Sequence, residues 1–457
     1  MIDAKTVERY GFPGRLRSVP DEIDATALPV TGTLPPELNG CYVRNGPNAL
    51  PGQTSAYFQN GPGMLHGVRL RDGRAEWYRN RWVRTAALEG RSFVGPGGRL
   101  DLTAVSANTH VVRHARRMFA LVEAGLPYEV TPDLATVGPC DFGGRLTTAM
   151  TAHPKRDPAT GELHFFGYGM RPPYLTYHRL DEDGRLAFSR EVPVPAGTMT
   201  HDFAITERYA LWLDLPVTFQ PQLVGSGLPY GWDDAYGARL GLMRRDLPDA
   251  PVRWFGVEPC FVFHVGNAYE LPDGRVVLDA VRYSPAEFTS LWGLLTRTAP
   301  LTGPVARPGQ ARLHRWTLDP ATGAVGEETL DEQEVEFPTL DDDRMGRPAR
   351  YLYTITATDP RCPDPAAIVK YDTVSGAGIR YEPGGDVVLG EAVFVPAGAG
   401  PRREDDGWLI TVVTRRDGSA SELLVLDAAD VKAGPVAAVR LPRGVPTGFH
   451  GSWFADG

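Results

Sequence analysis

The fold class predicted by this sequence is all-β, a chain of meandering antiparallel strands, and three observations predict it. First, 51 glycines and 41 prolines fall between short β-rich runs instead of gathering in one low-complexity block, which is the punctuation of many turns. Second, Asp-Gly pairs at Asp72-Gly73, Asp183-Gly184, Asp273-Gly274 and Asp417-Gly418 sit between such runs, and this dipeptide is a strong short-range hairpin signal. Third, helical periodicity is weak almost everywhere, with short candidates only around 284–295 and near 4–10.

The strand-like runs extend along the whole chain. Residues 64–70 and 75–82 flank the first Asp-Gly pair, and 109–122, 163–169, 209–215, 275–282, 351–356, 408–414 and 421–426 read the same way. No strict repeat such as a Trp-Asp signature accompanies them, so the strand count allows a β-propeller without demonstrating one. Neither a composition shift nor a flexible linker divides the chain, which reads as one domain, 1–457, with a short N-terminal extension, 1–31. Two apolar loops interrupt the rhythm. Residues 217–238 carry Phe219, Leu223, Val224, Leu228, Tyr230 and Trp232, and 288–308 carry Trp292, Leu294 and Leu295. Such loops pack down as lids, and an exposed one suits a greasy substrate or a membrane face.

Composition narrows the function classes. At 457 residues, 42% apolar and 23% charged, the chain is of ordinary globular type. Its net charge of -9 and thinly spread Lys and Arg supply no basic stripe for phosphates, so nucleic acid is not an expected partner. Cys41, Cys140, Cys260 and Cys362 form no CxxC pair, which argues against a zinc knuckle or a disulfide framework and for a reduced, cytoplasmic setting. Residues 1–20 lack the apolar core of a signal peptide, and no run reaches the roughly 18 apolar residues of a membrane-spanning helix.

The ten histidines differ in setting. His110, His114, His164, His178 and His314 lie in arginine-bearing or polar stretches and read as surface or partly buried. His153 (Thr-Ala-His-Pro), His201 (Thr-His-Asp-Phe), His264 (Val-Phe-His-Val) and His450 (Gly-Phe-His-Gly-Ser-Trp) stand at strand ends or turns beside small or aromatic neighbours. Singly, each is more simply a satisfied core histidine than a ligand. Their gaps far exceed those of HExxH or His-x3-5-His motifs, so no single helix or hairpin presents two of them. A propeller can, because each blade directs its innermost strand at a common axis. Neither a GxSxG elbow nor a GxxxxGK[ST] loop occurs, which ranks hydrolase and kinase chemistry low. The residues alone lead to a large β protein with a candidate histidine metal centre.

From Pro35 to Phe454 the sequence also resembles the carotenoid cleavage oxygenase family. The blocks that carry the resemblance begin with Gly40-Cys41-Tyr42-Val43-Arg44-Asn45-Gly46-Pro47-Asn48, Gly63-Met64-Leu65-His66, Asn80-Arg81-Trp82-Val83-Arg84-Thr85, Ala107-Asn108-Thr109 and Glu123-Ala124-Gly125-Leu126-Pro127-Tyr128. Thr151-Ala152-His153-Pro154-Lys155, His201-Asp202-Phe203 and Phe263-His264-Val265-Gly266-Asn267-Ala268-Tyr269-Glu270 follow. Glu334-Val335-Glu336-Phe337-Pro338, Glu391-Ala392-Val393-Phe394-Val395-Pro396, Glu404-Asp405-Asp406-Gly407-Trp408 and Phe449-His450-Gly451-Ser452-Trp453 complete the series. One block would be weak evidence. So many in family order are not.

The resemblance implies a seven-bladed β-propeller with a dome of loops and short helices over a central Fe(2+) held by His153, His201, His264 and His450, with no carboxylate ligand. It implies that Glu123, Glu336 and Glu391 receive the other ring proton of His201, His264 and His450 respectively, which fixes each ring and raises its basicity. Neutral imidazoles suit iron and leave coordination positions for dioxygen. The implied reaction is cleavage of a C=C double bond of a carotenoid or apocarotenoid by molecular oxygen, giving two carbonyl products, with an apolar tunnel selecting the bond. Tyr128, Phe142, Phe263, Trp77 and Trp453 are candidates for its walls.

Family members that cleave hydroxylated stilbenes carry Lys directly before the first of these glutamates, whereas Val122 stands there in this chain, which favours a polyene over a stilbenoid. The alternatives are a stilbenoid-cleaving dioxygenase, a retinoid-type isomerase and a non-catalytic propeller scaffold. Pro62 departs from the Asp usual before Gly63, at a turn outside the ligand set. His66, common to the family, is expected to be structural.

Overall fold

In the computed structural model, which describes residues 18–52, 61–224, 228–247, 249–296, 311–359, 362–398 and 400–456, Asp72 and Gly73 both take left-handed backbone, with φ of 48° and 69°. They join strands Gly63–Arg71 and Arg74–Trp82, whose last and first residues are paired. Two successive positive φ values define the type I′ turn, whose twist matches that of the strands it connects. Asp183-Gly184, Asp273-Gly274 and Asp417-Gly418 also close antiparallel hairpins, there with only the glycine at positive φ.

Such hairpins build seven sheets of four or more strands among the described residues, the blades of a seven-bladed β-propeller. Four-stranded meanders run from His110–His114 to Thr136–Pro139, Lys155–Arg156 to Leu186–Glu191, Ala204–Ile205 to Arg253–Gly256, Phe261–Glu270 to Val325–Glu334, and Glu336–Thr339 to Ala377–Tyr381. The two remaining sheets recruit the N-terminal residues. Asp24–Thr26 pairs with Arg74–Trp82, and Val30–Gly32 pairs with Pro435–Arg440. The end of the predicted extension is therefore built into blades as edge strands, while 1–17, including the helix expected near 4–10, lie outside the described residues. Gly40–Pro47 pairs with the C-terminal strand Gly451–Ala455, so one sheet is completed by both ends of the chain.

The chain clusters into two compact units, Met1–Cys140 with Tyr353–Asp372 and Ala377–Gly457, and Asp141–Leu352 with Thr373–Gly376. In the first, Tyr42, Val68 and Tyr78 pack with Ile410, Val412, Leu423, Val425 and Val439. In the second, Phe166, Tyr177, Phe203, Trp212 and Met243 form a core in which Phe203 stacks on Trp212 at 5.3 Å and Phe166 meets it edge-on at 6.0 Å. Each such side chain taken from water contributes about 2–3 kcal/mol.

Described parts of both apolar loops carry regular structure. Val217–Phe219 pairs with Tyr230–Trp232, and helix α1, Pro285–Thr296, falls where the short helical pattern predicts one. Ser284 and Glu287 form a reciprocal capping box: the Ser284 amide donates to Glu287 at 2.6 Å and the Glu287 amide donates to the Ser284 hydroxyl at 3.3 Å. Trp292 Nε1 donates to the Tyr230 carbonyl at 2.9 Å and joins helix to hairpin. Residues 297–308 of the second loop lie outside the described residues.

Four histidines read as surface or partly buried are in fact buried: His114, His164, His178 and His314. His164 and Tyr177 share a hydrogen bond at 2.6 Å, and His178 is held between Thr148 and Ser189 hydroxyls, each at 2.8 Å. Cross-strand polar partners allow a blade to bury such rings, a pairing that a run of residues does not display. Burial depresses the imidazole of His178 to about 4 and that of His314 to about 4. His66, bonded to Tyr78 at 2.8 Å, is pushed down to about 3 by burial and by Arg44 and Arg443.

Candidate metal centre

His153, His201, His264 and His450 each lie on, or within three residues before, an edge strand of their sheet. His153 precedes Pro154, whose ring biases it toward extended backbone, and leads into Lys155–Arg156. His201 leads into Ala204–Ile205 through a short irregular segment in which the Asp202 carboxylate accepts from the Phe203 amide at 2.8 Å. His264 sits within Phe261–Glu270 where the register shifts between Val262 and Val265, and a bulge of this kind re-aims a side chain. His450 directly precedes Gly451–Ala455. Glycine is required at 451, since a Cβ there would lie 2.5 Å from the Tyr42 hydroxyl.

Within the second unit the rings of His153, His201 and His264 converge. Centroids are 4.6 Å apart for His153 and His201, 5.2 Å for His153 and His264, and 5.2 Å for His201 and His264. Nε2 of His153 lies 3.1 Å from Nε2 of His201. Two imidazole nitrogens aim lone pairs at this separation only if one carries a proton or both face a cation. Nitrogens about 2.1 Å from one ion at right angles would stand ~3 Å apart, so the pair fits a metal. The Thr151 hydroxyl accepts from the His153 amide at 3.1 Å and donates to the His201 carbonyl at 3.4 Å.

Nδ1 of His264 donates to Glu336 Oε2 at 2.5 Å, so Nε2 is the nitrogen this ring presents to a metal. Glu336 also accepts from the Tyr283 hydroxyl at 2.6 Å and the Phe337 amide at 2.8 Å. Burial alone would raise its carboxyl, but His264 and these donors hold it below the usual glutamate range. Burial and the Glu336 charge push the Tyr283 phenol well up, which keeps it a donor. Phe337 takes φ of 52°, unusual for a large side chain, and stacks on His264 at 4.7 Å.

In the first unit, His450 Nδ1 donates to Glu391 Oε1 at 3.0 Å and the Gly451 amide donates to Oε2 at 2.9 Å. Burial raises the Glu391 carboxyl while His450, His110 and the Gly451 amide bring it below its ordinary value. His110 is less remote than its sequence setting suggests. Its ring is 5.1 Å from that of His450, and its Nε2 lies 3.1 Å from the hydroxyl of Ser452, which donates onward to the Val111 carbonyl at 2.7 Å. Glu123 follows strand Arg117–Leu121, and Val122 packs against the core of that blade.

Of the candidate tunnel aromatics, Phe263 meets His201 edge-on at 5.2 Å and is flanked by Phe261, Tyr283 and Phe288 at 4.8, 5.5 and 6.0 Å. The other four are held by different contacts. Tyr128 is core, with its hydroxyl bonded to the Thr103 carbonyl at 2.6 Å. Trp77 lies under the Arg79 guanidinium, Trp453 packs into the blade core, and Phe142 stands against Phe165. Sequence reasoning gave no role to Tyr283, Phe337, Thr151, Asp202 or Lys155. Only for the last four did a signal exist, their place within two residues of a candidate histidine or glutamate.

A family profile described as retinal pigment epithelial membrane protein matches residues 16–455. A carotenoid cleavage oxygenase of Mycobacterium tuberculosis is 38% identical, with 96% of each chain covered. Among solved structures, the cobalt-substituted apocarotenoid oxygenase of Synechocystis is 29% identical with a TM-score of 0.84 over 98% of each chain. The lignostilbene dioxygenase of Pseudomonas brassicacearum is 28% identical, with a TM-score of 0.85 over 97% of this chain and 98% of its own. The agreement in sequence runs through nearly the entire length of the propeller, and the chain belongs to the retinal pigment epithelial membrane protein and carotenoid cleavage oxygenase family.

Proposed function

We propose that the protein is a non-haem iron(II) dioxygenase that cleaves one C=C double bond of a carotenoid or apocarotenoid, with His153, His201, His264 and His450 as the metal ligands. The observation that carries this reading is the clustering of three imidazole rings with centroids 4.6 to 5.2 Å apart, the His153 and His201 nitrogens 3.1 Å apart and Nδ1 of His264 tied to Glu336. His450 carries the same device, a glutamate on Nδ1, and is assigned as the fourth ligand. Glu123 is assigned to His201. An all-imidazole donor set suits a divalent iron better than the hard, oxygen-preferring cations.

Ferrous iron, when bound, supplies the redox chemistry that lets dioxygen react with a closed-shell double bond. The protein's own part is placement. Glu336 and Glu391 hold ring protons at Nδ1 and orient the Nε2 lone pairs, while Phe263 and its aromatic neighbours give an apolar wall beside His201 that excludes water and positions a polyene. The two oxygen atoms end on the two carbons of the cleaved bond, giving two carbonyl products with no proton to be removed. No general base is needed.

Val122 before Glu123 offers no ammonium to a phenol, which favours a polyene over a stilbenoid. The buried thiols Cys41, Cys140 and Cys260 suit a reducing, cytoplasmic compartment. Among the described residues no helix is long and apolar enough to cross a membrane, and the exposed Val224 and Leu228 are assigned to peripheral contact with the apolar phase that holds the substrate. Incubating iron-loaded protein with an apocarotenal and with a resveratrol-like stilbene tests the reading. Two carbonyl fragments from the apocarotenal support it, cleavage of the stilbene alone reverses the substrate class, and isomerisation without carbonyl products replaces the reaction.

A further inference from the structure

Asp202 is 3% exposed, and its carboxylate reaches all three segments that carry His153, His201 and His264. Lys155 Nζ lies 2.7 Å from Oδ1, with the two side chains 10% and 2% exposed. The Phe203 amide donates to Oδ1 at 2.8 Å and the Val265 amide donates to Oδ2 at 2.8 Å. Lys155 stands two residues after His153, Asp202 directly after His201, and Val265 directly after His264.

The surrounding backbone does little to fix these distances. Lys155–Arg156 and Ala204–Ile205 are two-residue strands, and Phe261–Glu270 shifts register on both sides of Val265. A short strand and a bulge constrain a neighbouring side chain less than a regular ladder does. A buried, fully hydrogen-bonded carboxylate is a stiff link, because moving any partner leaves a charge or an amide unsatisfied.

We infer that Asp202, together with Lys155, is a positioning residue that sets the mutual spacing of the three histidines for the metal, an inference that rests on the proposed function. A buried ion pair that served stability alone could be replaced by neutral groups at little loss. A positioning pair could not, since loss of an outer support of this kind costs 10–100-fold in metal affinity.

The test titrates metal-free protein with Co(II) against a competing chelator, follows the visible d–d absorption, and records thermal unfolding without metal. Asp202→Asn is expected to weaken Co(II) binding by about 10–100-fold and shift the band. The double variant Lys155→Met/Asp202→Asn, which removes both charges of the pair and keeps an acceptor for the Val265 amide, should stay folded without metal yet bind about tenfold or more weakly. Lys155→Arg, which keeps the charge, should stay within about threefold of the parent. A double variant that binds within about threefold of the parent with an unchanged spectrum overturns the inference. So does failure of both Asp202 variants to fold while Lys155→Arg folds, because that marks the pair as support for the blade. A parent protein that binds no Co(II) contradicts the proposed function instead.

Discussion

The ring of His264 and the carboxylate of Glu336 are joined at 2.5 Å, and the Tyr283 hydroxyl holds the other oxygen of that carboxylate at 2.6 Å. The orientation of one imidazole thus depends on a phenol on the neighbouring strand, Val276–Tyr283. Glu336→Gln, which removes the charge and keeps the shape, should lower iron affinity by about 10–100-fold. Tyr283→Phe should lower it less, since Glu336 keeps His264 and the Phe337 amide. Chelator competition on both variants checks the order; a larger effect for Tyr283→Phe would contradict it.

Phe263 is an aromatic placed against a candidate ligand ring, 5.2 Å from His201. Phe263→Ala should open the wall that stops the polyene and change either the position of cleavage or turnover, the latter by about tenfold, as a misplacement of roughly 1 Å can cost 10²-fold. Product analysis on one apocarotenal reads both. Unchanged products and rate would remove Phe263 from the substrate wall.

Asp279 is 2% exposed and is gripped by Arg315 through two bonds of 2.7 and 2.8 Å. Burial raises the carboxyl and Arg315 opposes it. Arg315→Met leaves that carboxylate buried without its counter-ion and should cost about 3–5 kcal/mol, read as a fall in the urea midpoint at neutral pH. A midpoint equal to the parent's would show that the pair contributes nothing.

His66 and His178 are depressed to about 3 and about 4 from the ordinary 6.5. Between the folded and unfolded values only the unfolded chain takes up the proton, so stability falls as pH drops below 6.5. Each ring should contribute about 1.4 kcal/mol per pH unit in that window. His178→Gln should therefore flatten the dependence of unfolding free energy on pH between 6.5 and 5, above the range where most carboxylates titrate. An identical slope would mean that His178 titrates normally in the folded protein.

Much of this architecture is legible in the sequence itself. Asp72-Gly73 signals its hairpin because only such residues accept two left-handed positions cheaply, and the short helical pattern at 284–295 marks α1 because that periodicity is local. The burial of His164 and His178 was not legible, because Tyr177, Thr148 and Ser189 meet them across strands. Asp202 was visible as a neighbour of His201, but its ties to Lys155 and Val265 depend on register shifts that no periodicity reports. The histidines illustrate the limit most clearly: spacing along the chain offered no argument for joining them, and the family resemblance supplied what local pattern could not.

Iron content by elemental analysis, compared between the parent and the single variants His153→Ala, His201→Ala, His264→Ala and His450→Ala, tests the central claim most directly. The parent chain should hold ~1 iron and every variant should lose most of it, because each removes one of the four proposed ligands. Full iron content in any one of the four, with His450→Ala the most exacting case, would contradict that claim.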